Sequence, residues 1–415
     1  MRTTSLGNGS LSFTRLSGGM KSASTRRVIW FLVVPVLLMA GFVTLIVLGV
    51  WPLLAPTAGQ ADAPPPLASV SLPVRPNSLA WSLDGTYLAA STWGGPGEGV
   101  YVVDVAKGSV LTTLPMTLIQ ALAFSPDGKW LAVGTRQDTS LQRPAGAAPA
   151  ELVVFDVPAF TAKFTAKARV PEGGFVDLAW SADSKSLHAI DGPADFAPGT
   201  AELRRWAVPA FTEHEHAICA TQDRAFTALA VSLDGRTLAV AERIRAPRIV
   251  RLIRVFELGE RKERLSFETG DDIEGTRLGF TSNGKAVGVF DRNRLSWWDV
   301  ATGRSAKPSA ARFASQPAGL TYPRCDADLS LDGNWHAHGY ERHRGLGDLG
   351  WDSRAKEFGT FIRITESATA KTWTWRVSKA QLEMPAVAFS PDGKKLAGTV
   401  WQPSGGSIEI WPMPK

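Results

Sequence analysis

Cysteine is nearly absent: Cys219 and Cys325 are the only two in 415 residues. That excludes a disulfide scaffold and a Cys-rich zinc site. Long apolar runs are equally scarce. Only residues 28–55 form a run long enough to span a bilayer, which excludes a polytopic membrane protein. No G-x-S-x-G elbow and no Gly-rich phosphate loop opening a helix occur, so hydrolase and nucleotide-binding signatures are missing. Acid is lacking from residues 1–27, which carry Arg2, Arg15, Lys21, Arg26 and Arg27. These five supply most of the net charge of +6, and the remainder holds 40 basic against 39 acidic residues. A nearly neutral folded part has no basic footprint for nucleic acid. With 44% hydrophobic and 20% charged residues, most of the chain is a folding sequence, neither disordered nor collagen-like.

The apolar run VIWFLVVPVLLMAGFVTLIVLGVWPLLA at 28–55 contains no charge. A bilayer core needs ~20 apolar residues, so the run is expected to form a transmembrane helix even when tilted. Trp30 and Trp51 sit near its ends, where aromatic residues favour the interface, and membrane helices tolerate Pro35 and Gly41. Arg26 and Arg27 abut the N-terminal side, while the other side has no basic residue until Arg75. The positive-inside rule then predicts a cytoplasmic tail at 1–27 and everything after residue 55 across the membrane. A cleaved signal peptide is the competing reading, but the run is about twice the length of an ordinary signal core. Residues 56–67, PTAGQADAPPPL, read as a Pro/Ala-rich linker that extends stiffly.

Beyond the linker one phrase recurs seven times. It reads SLAWSLDGTYLAA, ALAFSPDGKWLAV, DLAWSADSKSLHA, ALAVSLDGRTLAV, RLGFTSNGKAVGV, DADLSLDGNWHAH and AVAFSPDGKKLAG. The turn residues Asp84, Asp127, Asp183, Asp234, Asn283, Asp332 and Asp392 lie 43–60 residues apart. Alternating runs around Asp-Gly mark a β-hairpin, because glycine takes the positive φ of a tight turn. A third strand follows each hairpin, such as VYVVDV or LVVFDV, and a fourth follows most of them, such as SVLTTL. Four strands per repeat of this length make a propeller blade, which buries both faces only by stacking in a ring. The chain reaches Lys415 straight after a third strand, and ASVSLP at 68–73 is an orphan strand ahead of the first hairpin. The orphan is expected to close blade seven, making 68–415 an all-β seven-bladed β-propeller behind the transmembrane helix.

Trp298-Asp299 closes the third strand of the fifth repeat, and Asp104 and Asp156 follow Val103 and Phe155 at the same place. On these residues the chain from 68 to 415 resembles a WD-repeat propeller of the bacterial type, without the Gly-His pair of eukaryotic members. The Ser-Pro-Asp-Gly-Lys turns at 125–129 and 390–394 also resemble those of the periplasmic Tol-system propeller and related exported propellers. The resemblance implies a fold; propellers host scaffolds, receptors and enzymes alike.

The repeat supplies its own control for unusual residues. Where blade six has Asp328, the others have Ala80, Ala123, Ala179, Ala230, Gly279 and Ala388. His336 replaces leucine or valine, and His338 replaces small apolar residues. A three-residue turn at 331–333 would set Asp328 opposite His336 and Asp326 opposite His338, on one face. Two readings follow: a mutually satisfied buried Asp–His ladder, or a divalent-metal site formed by Asp326, Asp328, His336 and His338. His214-Glu215-His216 reads as a solvated outer strand, and Cys219 and Cys325, three blades apart, as two free thiols.

Long connections between second and third strands occur at 135–150, 191–201 and 340–359, all on one rim. The last carries Tyr340, His343, Arg344, Trp351 and Arg354, an aromatic–arginine mixture suited to an interface. The sequence therefore points to a non-enzymatic, membrane-anchored scaffold without a cofactor, binding protein partners on that rim outside the cytoplasm. The alternative is a metal-dependent or ligand-binding propeller, even an enzyme, that uses the Asp/His cluster.

Overall fold

The computed structural model describes residues 61–414, apart from 93–95, 138–148, 171–172, 194–199, 215–218, 221–223, 245–249, 260–261, 272–276, 282, 292–293, 307–318, 321–326, 343–358, 370, 380–384 and 403. The tail at 1–27 and the apolar run at 28–55 lie outside the described residues. Among those described, no helix is long and apolar enough to cross a membrane.

Seven antiparallel sheets form a seven-bladed β-propeller. The innermost strands, from blade one to blade seven, are Pro76–Trp81, Ile119–Phe124, Gly173–Trp180, Arg224–Val231, Arg277–Phe280, Ala327–Leu329 and Val387–Phe389. Blade one shows the plan: Pro76–Trp81 is followed outward by Tyr87–Thr92, Val100–Asp104 and Ser109–Leu114. Blade seven takes its outer strand from the other end of the chain. Ala68–Leu72 pairs antiparallel with Gly405–Pro412, joining Ala68 to Ile410 and Leu72 to Gly406. Gly319–Leu320, in the connection from blade five to blade six, adds to the inner edge of blade two.

Each Ser-x-Asp-Gly phrase folds into the same hydrogen-bonded turn. In blade one Ser82 Oγ donates to Asp84 Oδ1 at 2.6 Å and accepts from the Tyr87 N–H, while Asp84 Oδ1 accepts from the Thr86 N–H. The pattern repeats at Ser232, Asp234 and Thr237, and with Thr281 and Asn283 in blade five. Bonds from Ser181 and Ser232 hold the carboxyls of Asp183 and Asp234 below the usual range. Glycine serves the turn through φ alone: Gly128 has φ 71°, and a Cβ there would meet nothing within 4 Å. Blade three uses Ser184 at φ 59° instead, and its Oγ accepts the Asp127 N–H of blade two at 2.9 Å.

The core lies between blades. Leu79, Leu88, Val103, Ile408 and Ile410 pack blade seven on blade one, and Phe175, Leu178, Leu187 and Trp206 pack blade three on blade two. Indole N–H groups cross the same seams: Trp81 donates to the Ala388 carbonyl at 3.1 Å and Trp180 to that of Ala123 at 3.0 Å. Between blades five and six the apolar contact is thin among the described residues. Leu329 is its buried member, against partly buried Leu295, Trp297 and Leu331.

Part of the Pro/Ala-rich stretch at 56–67 is paired, and residues 56–60 lie outside the described residues. Ala61–Asp62 pairs in parallel with Thr372–Ser378 as a fifth strand outside blade six, and the Ala63 N–H donates to the Arg376 carbonyl at 3.1 Å. The extended backbone of this segment and the unpaired outer edge of blade six satisfy each other's hydrogen bonds.

Candidate functional site

The hairpin of blade six corrects the expected pairing. Ser330 N–H donates to the Trp335 carbonyl at 2.9 Å, and Trp335 N–H donates to Ser330 Oγ at 2.9 Å. Ser330 thus faces Trp335 across the four residues 331–334, one more than the sequence reading assumed. Leu329 pairs with His336, Asp328 with Ala337 and Ala327 with His338. A one-residue slip turns every side chain to the other face. Asp328 and Ala337 share the face toward blade seven, where Ala337 packs with Val387 and Phe389. His336 and His338 share the opposite face with Leu329, which packs on blade five. The Asp328–His336 ladder is therefore not formed. Asp326 lies outside the described residues, and among those described no group of three or more His, Cys, Asp or Glu could hold a metal ion.

Asp328 works between blades instead. Its Oδ2 accepts the Phe389 N–H of blade seven at 2.7 Å, and its Oδ1 stands 3.6 Å from Arg277 Nη1 of blade five. Both charged side chains are buried. Asp177, in the inner strand of blade three, makes the matching contact: its Oδ2 accepts the Leu229 N–H of blade four at 2.8 Å. Among the described residues the inner strands of blades four and seven have no further strand on their channel side, so their N–H groups need another acceptor, and these carboxylates supply one. Burial pushes Asp177 up to about 7, against hydrogen bonds from Leu229 and Leu178 N–H and the Arg277 charge. Burial likewise raises Asp328 to about 6, against Arg277 and the Phe389 N–H.

Sequence reasoning missed Arg277 and Asp177, though the repeat offered a signal. Four residues before the turn Ser or Thr, the blades carry Ser78, Ala121, Asp177, Ala228, Arg277, Asp326 and Ala386. Three charges stand in a column of small residues, two positions from the one that marked Asp328.

The imidazoles are neutral groups in a seam. Burial lowers His336 to about 4; burial, then the charges of Arg363 and His336, lower His338 to about 3. His338 lies opposite Arg363 across the sheet and tilts against Tyr340 at 5.6 Å. Tyr340 corrects a second expectation. It belongs to the strand Trp335–Arg342, is buried, stacks on Phe361 at 5.4 Å and lies under the Arg363 guanidinium. It is a packing residue rather than part of an exposed rim. His343, Arg344, Trp351 and Arg354 lie outside the described residues, as do Glu215, His216 and Cys325. Cys219 sits in the short outer strand Cys219–Ala220 of blade three.

A second buried charge network ties blade three together. Arg204 donates to Glu213 through Nε at 2.9 Å and Nη2 at 3.1 Å, and through Nη1 to Asp191 at 3.1 Å and the Lys167 carbonyl at 2.7 Å. Asp191, expected in a loop, lies in the strand Ser186–Pro193 and is fully buried. Burial raises its carboxyl in spite of the Arg169 N–H and the Arg204 charge.

Residues 108–142 match the WD domain, G-beta repeat family. The matched span starts at the outer strand Ser109–Leu114 of blade one and takes in the first two strands of blade two, so the sequence repeat straddles two blades. No curated protein matches the chain. Among solved structures, the chain is similar to the β-propeller domain of Cps50 (Swd1) from Myceliophteria thermophila. The identity is 14% over 83% of this chain and 100% of that one, with a TM-score of 0.54. At that identity the likeness is one of fold.

Proposed function

We propose that this chain is a membrane-anchored, non-enzymatic protein-interaction scaffold whose propeller stands outside the cytoplasm. The observation that carries the scaffold reading is the placement of the longest connections within its blades. Residues 136–150 join Thr135 to Glu151 in blade two, and 343–358 join Arg342 to Gly359 in blade six. Both link a second strand to a third, so both leave from the rim opposite the Asp-Gly turns. Long connections on a rigid ring are the usual carriers of recognition. The buried charges of the inner strands support the same reading, because Asp177, Asp328 and Arg277 each have a partner in a neighbouring blade or its charge. The anchor rests on the charge-free run 28–55 and on Arg26 and Arg27 before it.

Two measurements test the proposal. Replacing 343–358 by a short Gly/Ser turn is expected to abolish the protein crosslinks formed by the chain in intact cells, with the melting temperature unchanged. Crosslinks that survive the replacement would overturn the rim as the binding surface. An epitope placed after Lys415 is expected to be reached by a membrane-impermeant label added from outside the cytoplasm. Full protection from that label would overturn the location.

A further inference from the structure

The segment ahead of the first blade holds two adjacent blades by two unlike contacts. Ala68–Leu72 is built into the ring: five register pairs join it to Gly405–Pro412, and Val70 and Leu72 are buried in the core between blades seven and one. Ala61–Asp62 has only two register pairs, to Trp375 and Arg376, and both residues are exposed. Its further ties are the Ala63 N–H to the Arg376 carbonyl, the partly buried Ala63 methyl against the cluster that holds Trp375, and an ion pair, with Arg376 Nη2 at 2.6 Å and Nε at 2.8 Å from Asp62 Oδ1. Asp62 is 67% exposed, so solvent and salt screen this pair. Pro64, Pro65 and Pro66 separate the two contacts. Such a run is stiff and extended, so letting go of Ala61–Ala63 does not unravel Ala68–Leu72.

We infer that residues 61–66 form a clasp that opens and closes on an otherwise folded ring. Two exposed pairs, one backbone hydrogen bond, the contact of a single methyl and one screened ion pair are set against the conformational entropy of ordering the backbone, so the docked and released forms are close in free energy. Release frees residues 61–66 from the edge of blade six. It also bares the outer edge of Thr372–Ser378, which can then accept another extended segment. Arg376 gives that edge a preference for an acidic side chain at the position Asp62 now holds. The inference rests on the ring alone and does not depend on the anchor or on the rim.

Hydrogen exchange of the full-length chain, read by mass spectrometry, tests it. The three prolines carry no amide hydrogen, so residues 61–66 report only Ala61, Asp62 and Ala63. These amides are expected to exchange about 100-fold faster than those of Val70–Leu72. Raising salt from about 0.05 M to about 0.5 M should speed exchange at 61–63 several-fold and leave 70–72 unchanged. Asp62→Asn should do the same at low salt, and the paired exchange Asp62→Arg with Arg376→Asp should restore the slower rate. Exchange at 61–63 as slow as at 70–72 would overturn the clasp. So would insensitivity to both salt and Asp62→Asn, or acceleration of both segments together.

Discussion

Asp328 in the innermost strand of blade six accepts the backbone N–H of Phe389 in the innermost strand of blade seven at 2.7 Å, while Arg277 approaches it from blade five. One carboxylate thus holds three consecutive blades where, among the described residues, the apolar contact between blades five and six is thin. Asp328→Ala removes the acceptor and takes from the buried Arg277 guanidinium the carboxylate 3.6 Å away. The expected cost is about 3 kcal/mol in chemical denaturation. Asp328→Asn keeps an oxygen for the Phe389 N–H and loses only the charge, so its cost should be about half as large. Equal costs would show that the hydrogen bond, rather than the ion pair, carries none of the effect.

The turn of blade three tests how backbone strain and a hydrogen bond share one residue. Ser184 occupies φ 59°, where the other turns place Gly85, Gly128, Gly235, Gly284, Gly333 and Gly393. Its Oγ accepts the Asp127 N–H of blade two. Ser184→Ala keeps the strain and loses the bond, and should destabilise by about 1 kcal/mol. Ser184→Gly loses the bond and relieves the strain, and should lie within about 0.5 kcal/mol of the parent. Thermal melts of the two variants give the comparison directly.

The seven blades were legible because the Ser-x-Asp-Gly phrase is both a turn signal and a hydrogen-bonding unit. A hydroxyl, an Asp or Asn side-chain oxygen and a positive-φ position occur together in each turn. The pairing register was not legible from the same letters. Whether three or four residues bridge the strands depends on the Ser330 hydroxyl taking the Trp335 N–H, and that single residue of difference sends Asp328 and His336 to opposite faces. Seam residues such as Arg277 stayed hidden because their meaning depends on which blades meet, and spacing along the chain does not show that. A repeated word was overlooked as well. Val-Pro-Ala-Phe-Thr occurs at 157–161 and again at 208–212. In each copy the phenylalanine meets an aromatic of the preceding blade edge-on at 5.4 Å: Phe160 on Tyr87, and Phe211 on Trp130.

Those two copies make a matched pair for measurement. Phe160 is buried, while Phe211 is partly exposed and also stacks on Phe164 at 4.8 Å. Phe160→Ala should cost about 3 kcal/mol, as a buried aromatic truncation does. Phe211→Ala should cost about 2 kcal/mol, because part of its surface already meets water. Urea titrations that reversed this order would show that stacking on Phe164 outweighs burial.

Blade seven and blade six share the segment that leads into the ring, but only one of the two contacts should matter for global stability. Leu72 is buried between blades seven and one, so Leu72→Ala should cost about 2–4 kcal/mol and lower the melting temperature. Asp62→Ala removes a surface ion pair and should leave the melting temperature unchanged.

The buried titratable groups of the inner blades give opposing pH dependences that can be separated by substitution. Burial lowers His336 to about 4 and His338 to about 3, whereas unfolded histidine titrates near its ordinary 6.5. Between those values the unfolded chain binds protons that the native protein does not, so the histidines lose stability as pH falls below about 6.5. Asp328 and Asp177 are raised to about 6 and about 7, against an ordinary 3.8. There the native protein holds protons that the unfolded chain has released, so these groups gain stability over the same fall in pH. Within these four groups the two sides nearly cancel from pH 7 to pH 5, so each substitution is read as a change of slope against the parent. His336→Leu with His338→Val installs the residues blade two carries as Leu131 and Val133 and removes the histidine side of the balance. That variant should become more stable as pH falls across this window, by roughly 1–2 kcal/mol per pH unit. Asp328→Asn removes one of the aspartate protons and should tilt the profile, relative to the parent, toward loss of stability on acidification. Parallel profiles for all three proteins would mean that His336, His338 and Asp328 do not exchange protons on unfolding, and would remove the electrostatic account of these three groups.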